Sequence, residues 1–241
     1  MKALKTFSLI FFFSLPFDAT AQDIQLHYDL RHSLDPGTND KNYPSLSFEY
    51  FKEIDSLGSF LFKLQSDLKG ENNNIGQTFV QLSQTAKFWK PGIYFSLNFS
   101  GGLGVAPPSF GYYLTNAFGL GVSYPFQWKG AWLSLNTQYR YTAFKAPSHD
   151  VQVTFYLWKG LLNYKLVVAG SIVAWTENRD QGTDGTASLH GKKFAFFGDP
   201  QLWYKVKGGL SIGTRANLFY NLIGDENSFK IYPTIGVQYK F

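Results

Sequence analysis

The chain contains no cysteine. That absence excludes disulfide-stapled folds and thiolate metal centres. It suits a route through an oxidising periplasm, where stray thiols would react, and it rules out the lipidated cysteine of a lipoprotein. Long apolar runs are missing as well. Beyond Phe17 no stretch is long enough to cross a bilayer as a helix, and the mean hydropathy is only −0.16. Charge is sparse at 16% of residues, with a net +5 and no Lys/Arg cluster interleaved with aromatics, so the footprint of a nucleic-acid binder is absent. Neither an internal repeat, a low-complexity block nor a second domain interrupts the pattern.

Aromatic residues, in contrast, make up 19% of the chain. They sit in a pattern of period two. Ile24, Leu26, Tyr28 and Leu30 alternate with Gln25, His27, Asp29 and Arg31. Ile93, Phe95, Leu97 and Phe99 alternate with Tyr94, Ser96 and Asn98, and Leu133, Leu135, Thr137, Tyr139 and Tyr141 alternate with Ser134, Asn136, Gln138 and Arg140. One face for lipid and one for a polar interior is the mark of an all-β transmembrane antiparallel barrel, and the segments number about twelve. Near 75–86 the alternation is weak, with Val80 and Leu82 expected to face lipid. Residues 164–175 are apolar on both faces and leave the register open.

Both ends agree with an outer-membrane address. Met1-Lys2-Ala3-Leu4-Lys5 is basic, Thr6 to Phe17 is mostly apolar, and Ala19-Thr20-Ala21 offers small residues for cleavage. This is a three-part secretory leader, which predicts a signal peptide at 1–21 and a barrel at 22–241. The run ending in Thr234, Gly236, Tyr239 and Phe241 resembles the C-terminal β-signal of bacterial outer-membrane barrels, so Phe241 is expected to be read by the barrel-assembly machinery.

Connections alternate in length. Compact turns are expected at 53–58, 88–92, 125–130, 159–163 and 206–209, and longer polar loops at 31–42, 69–74, 101–111, 143–150, 176–192 and 222–228. Short periplasmic turns and longer extracellular loops give that asymmetry. Trp89, Trp128, Trp132 and Trp158 fall at the short-turn end, as in a headgroup-level girdle. Gly101-Gly102-Leu103-Gly104 lacks the continuation of a nucleotide loop and reads as the start of a loop, while Gly119 and Gly121 make room in a narrow lumen.

Catalytic signals are weak. His32, His149 and His190 fall in expected loops, too scattered for a zinc site. Ser148-His149-Asp150 holds the residue types of a triad, but neighbours in sequence seldom meet as one. No catalytic residue, metal or cofactor is expected. The interior says more. Counting inward positions puts His27, Glu49, Lys63 and Arg215 in one mid-depth belt, with Asp29 and Asp67 higher on the same wall. The facing wall carries Tyr94, Ser96, Asn98, Asn136, Gln138, Gln152, Thr154 and Tyr156 and no mid-depth charge; Arg140, Gln201 and Trp203 complete the set. Such walls suit a neutral polar solute with a flat ring, gripped by stacking and by rim hydrogen bonds. The alternative is a salt-bridge network that fills a closed structural barrel.

Gln25-Leu26-His27-Tyr28-Asp29, Ala86-Lys87-Phe88-Trp89-Lys90, Asp199-Pro200-Gln201-Leu202-Trp203-Tyr204 and Tyr232-Pro233-Thr234 together resemble the Tsx-like outer-membrane barrels, in particular a branch found in Bacteroidetes. The resemblance spans the chain after the leader and implies a diffusion-driven, nucleoside-specific channel. The expectation is therefore a monomeric barrel among outer-membrane lipids that passes small hydrophilic solutes, nucleosides first. A barrel enzyme acting on lipids and a closed structural barrel stand as the alternatives.

Overall fold

The computed structural model describes residues 21–54, 57–87, 89–90, 92–106, 110–223 and 226–241. The expected leader lies outside them except for Ala21, and so does Phe88. The strands are β1 (Ala21–Asp29), β2 (Tyr43–Ile54), β3 (Gly58–Asp67), β4 (Gln77–Ala86), β5 (Tyr94–Ala106), β6 (Phe110–Trp128), β7 (Ala131–Thr142), β8 (Ser148–Leu161), β9 (Leu166–Asn178), β10 (Lys192–Gly198), β11 (Gln201–Lys207), β12 (Leu210–Tyr220) and β13 (Phe229–Lys240).

Every pairing is antiparallel; neighbours in sequence pair except around β10 and β11, each of which pairs with both β9 and β12, and β13 returns to pair with β1, Asp23 facing Lys240 and Asp29 facing Thr234. The sheet is therefore closed and has no free edge. Thirteen strands fill twelve places, because β10 and β11 share one. Gly198 pairs with Ile172 and Gln201 with Ala169 on the same register line along β9, and β12 meets both pieces. Proline, which has no N–H to give the ladder, stands in the interruption at Asp199-Pro200.

Closure satisfies the backbone without water, the condition for crossing a membrane by strands. Among the described residues no helix is long and apolar enough to cross one. The outer surface carries Leu26, Leu46, Leu97, Leu120, Leu135, Ile212, Ile235 and Val237, all exposed. In water such a continuous apolar surface would be unfavourable by roughly 25 cal/mol per Å². Here it faces lipid, as it does in barrels of the bacterial outer membrane, and that is where this molecule belongs. The register at 77–86 places Val80 opposite Leu64 and Leu82 opposite Phe62, outward as expected. Residues 166–175 are fixed by β8, which turns Val167, Ser171 and Trp175 inward with Tyr156 and Gln152, and Glu177 follows inward opposite Lys193 of β10.

Four expectations change. Residues 101–111 are mostly strand: β5 runs through the glycine run to Ala106, and β6 starts at Phe110. The expected turn at 125–130 contracts to Lys129 and Gly130, because β6 continues to Trp128. Ser148-His149-Asp150 opens β8 instead of lying in a loop. Finally, Trp132 and Trp158 share the inward parity of Asn136 and Thr154 and pair with each other, so they line the interior. Trp128 remains on the lipid face. The short connections gather at the end holding the start of β1 and the end of β13, the periplasmic end of an outer-membrane barrel.

Candidate functional site

Alternation along each strand sends one polar set inward, and all fourteen expected lumen residues face the interior. They separate into three sectors with different degrees of closure.

The first sector spans β11, β12, β13, β1 and β2 and is packed shut. His27 Nδ1 meets Thr234 Oγ1 at 2.8 Å and Nε2 meets Gln25 Oε1 at 2.9 Å. The Trp203 indole donates to Gln201 at 2.8 Å and meets the His27 ring edge-on at 5.5 Å between centroids. Gly236 is what lets His27 lie flat on the wall, since a Cβ there would stand 2.8 Å from Nδ1. Arg31, in a one-turn helix Arg31–Leu34 above β1, caps the sector. It pairs with Asp29 at 2.9 Å and lies over the rings of Tyr43 and Tyr232 at 5.0 and 4.8 Å.

The second sector, β5 to β9, is also satisfied from within. Gln138 donates to Ser96 at 2.8 Å across the intervening strand, where Gly119 leaves the space. Ser134 reaches Ser123 at 3.1 Å and donates to Asn136 at 2.9 Å. Arg140 donates to Gln152 at 2.6 Å and lies over Trp175 at 4.7 Å, whose indole donates to Glu177 at 2.9 Å. Lys193 completes this upper cluster with Glu177 at 3.1 Å.

The third sector differs. Along β3, β4 and β5 the inward residues Gln65, Gln77, Phe79, Gln81, Asn98 and Ser100 are all only half-buried. Their amides lie along a half-open wall from the loop end downward. Tyr112 closes its top, donating to Gln77 at 3.3 Å and accepting from Lys69 at 3.2 Å. Asp67, buried, holds Gln65 at 2.9 Å and Gln77. At the foot stands Lys63, 3.2 Å from Glu49 and 3.7 Å from Asp199, with Lys63 and Glu49 side chains 20% and 30% exposed. Tyr156 reaches this foot from the far wall by accepting from Gln81 at 3.1 Å. Tyr94, half-buried at the lower end of β5, has Lys87 over its ring at 5.2 Å.

The single expected belt is therefore two groups. Lys63 and Glu49 form a partly exposed ion pair, whereas Arg215 is 4% exposed and donates to Gln65 at 3.1 Å. Charge at mid-depth also comes from Asp199, which the sequence reading passed over. Its Oδ1 accepts from Ser171 N and Oγ at 2.6 and 2.8 Å, leaving Oδ2 for Lys63. The strand break aims it inward, and Gly170 at φ +139° permits the approach, because a Cβ there would lie 2.6 Å from the Asp199 carbonyl oxygen. The signal for Asp199 was its proline neighbour inside an alternating segment. Trp132 and Phe51 were missed too, although counting by two from Asn136 and Glu49 reaches both. Ser148 and Asp150 point inward, bonded to one another, while His149 points outward to Tyr139. Alternation thus splits the triad residue types between two faces.

A family model described as a domain of unknown function, DUF5020, matches residues 21–241. Among curated proteins no match is found. Among solved structures, the NanC porin shares 12% identity at a TM-score of 0.55, covering 92% of this chain and 100% of that one. LpxR from Salmonella typhimurium shares 10% at 0.48, covering 92% and 100%, and the KdgM porin 9% at 0.48, covering 92% and 99%. At these identities the NanC likeness speaks for the barrel fold alone.

Proposed function

This chain belongs to the DUF5020 family, and from its interior we propose a passive outer-membrane channel for small hydrophilic solutes, with nucleosides as the leading class. The observation that carries this reading is the asymmetry of the lumen. Two sectors are packed shut, while the third presents Gln65, Gln77, Gln81, Asn98 and Ser100 half-open above a partly exposed Lys63–Glu49 pair. On that wall Gln81 and Asn98 each use one end of the amide within the barrel, Gln81 Nε2 donating to Tyr156 and Asn98 Oδ1 accepting from Ser100, which leaves the other end for a solute. Amides that a solute completes are useful: they donate and accept along the edge of a heterocycle or a sugar, and Phe79 and Tyr156 offer ring faces. The resemblance to Tsx-like barrels points to nucleosides within that class. In this reading the barrel catalyses nothing and acts as a monomer.

Swelling of liposomes carrying the purified barrel tests it. Swelling in uridine should exceed swelling in a disaccharide, and Gln81→Ala combined with Asn98→Ala should narrow the difference. A folded barrel that admits neither solute is a structural barrel, and the proposal falls.

A further inference from the structure

Charged residues in contact with solvent lie both above and below one apolar layer of the lumen. Above it are Glu49 and Lys63. Below it, toward the short turns, Glu53 on β2 and Lys205 on β11 are exposed. Between them Phe51 on β2 and Trp132 on β7 meet edge-to-face with ring centroids 6.4 Å apart. In the closed ring these strands are five places apart out of twelve, so this contact bridges nearly opposite walls. Leu61 on β3, the register partner of Phe51, and Val167 on β9 are buried and inward as well.

We propose that the Phe51–Trp132 bridge, with Leu61 and Val167, is the selectivity constriction of this barrel: it excludes hydrated inorganic ions and admits neutral solutes that offer an apolar face. The proposal rests on the channel reading above. An ion entering a mainly apolar constriction must shed hydration that little replaces, and narrow apolar necks close to ions by dewetting. A neutral solute loses far less, and its apolar face slides against indole and phenyl rings. Selection of charge type then belongs to Lys63, Glu49 and Asp199, and exclusion of ions as a class belongs to this layer. The two jobs are stacked along the same path.

Planar-bilayer conductance in potassium chloride, read beside uridine uptake into liposomes, tests the inference. The wild type should pass uridine with little ion conductance. Trp132→Ala and the pair Phe51→Ala with Trp132→Ala should raise ion conductance several-fold, whereas Trp132→Phe should stay low. Trp128→Ala, an aromatic removed from the lipid face at the same end, should leave conductance at the wild-type level. Phe51→Gln fills the space but hydrates the neck; it should also conduct, and it serves if the alanine variants lose the heat-modifiable folded band. Uridine uptake by the wild type, together with unchanged ion conductance in Trp132→Ala and Phe51→Gln, would overturn the constriction and leave the channel standing. If neither the wild type nor any variant admits uridine or ions, the channel reading fails and the constriction falls with it.

Discussion

At the scale of single residues, Lys63 and Arg215 carry the same charge and are expected to do different work. Lys63 is partly exposed and shared between Glu49 and Asp199; Arg215 is packed among side chains and held by Gln65. In the Trp132→Ala background, where the neck conducts ions, replacing Lys63 by Gln should shift ion selectivity toward cations while the barrel stays folded, because a partly exposed lumen charge costs less to remove than a packed one. Replacing Arg215 by Ala should leave selectivity where it was and destabilise the barrel by about 2 kcal/mol, from the cavity and from the partner lost to Gln65. Reversal potentials and the temperature of the heat-modifiable shift read the two effects separately. A selectivity change in the Arg215 variant of the size seen for Lys63 would reunite the two groups in one hydrated belt.

Among the strands and loops, the interrupted β10–β11 segment matters most to the lumen. Its break delivers a carboxylate to mid-depth while the pairing with β9 resumes in the same register on either side. In the same Trp132→Ala background Asp199→Asn should shift selectivity toward anions, opposite in sign to Lys63→Gln. It should also lower stability modestly, since a carboxamide accepts less strongly from Ser171 N and Oγ. Equal selectivity to that background would mean that Oδ2 does not face the permeation path. The connection between β1 and β2 supplies a pH-dependent tether. The hydrogen bond from Lys230 Nζ at 2.7 Å, joined by Thr38, holds the Asp35 carboxyl below the ordinary carboxylate range. A depressed value means the tether is present above the unfolded value of about 4 and is lost as pH falls through the folded one. Pepsin should therefore cut within 31–42 increasingly as pH falls, whereas Lys230→Ala should be cut readily throughout its acid range. Identical pH profiles for the two proteins would remove the tether.

For the molecule as a whole, closure through β13 and β1 puts the start of β1 and the end of β13 at one rim. Phe241 N donates to Gln22 O at 3.1 Å, and the Phe241 ring meets Tyr239 edge-on at 5.2 Å. The longer connections, including 179–191 between β9 and β10, lie at the other rim. Insertion of an epitope at Gly185, where an added Cβ meets nothing within 4 Å, should leave the barrel intact and label on unbroken cells. Labelling that requires permeabilised cells would invert the orientation, and with it the assignment of the half-open sector to the outside.

What the residues alone determined was the period. Alternation identified an all-β outer-membrane barrel, the number of places in its ring, the weak segment's outward Val80 and Leu82, and an inward set that holds at every position. That much is local, because side-chain direction in a strand follows from the backbone with no knowledge of partners. What tertiary structure decided was everything that crosses the lumen. Strand tilt and ring closure set which inward residues share a depth. Lys63 therefore meets Asp199 while Arg215 meets Gln65, and Phe51 meets Trp132, although no spacing in the chain relates them. The indoles at 132 and 158 have the composition of a lipid girdle and the parity of a lumen, and the pairing resolved that conflict in favour of parity. The extension of β5 and β6 through the glycine-rich 101–111 stretch was equally hidden, because glycine reads as a loop until a neighbouring strand supplies the hydrogen bonds that hold it extended.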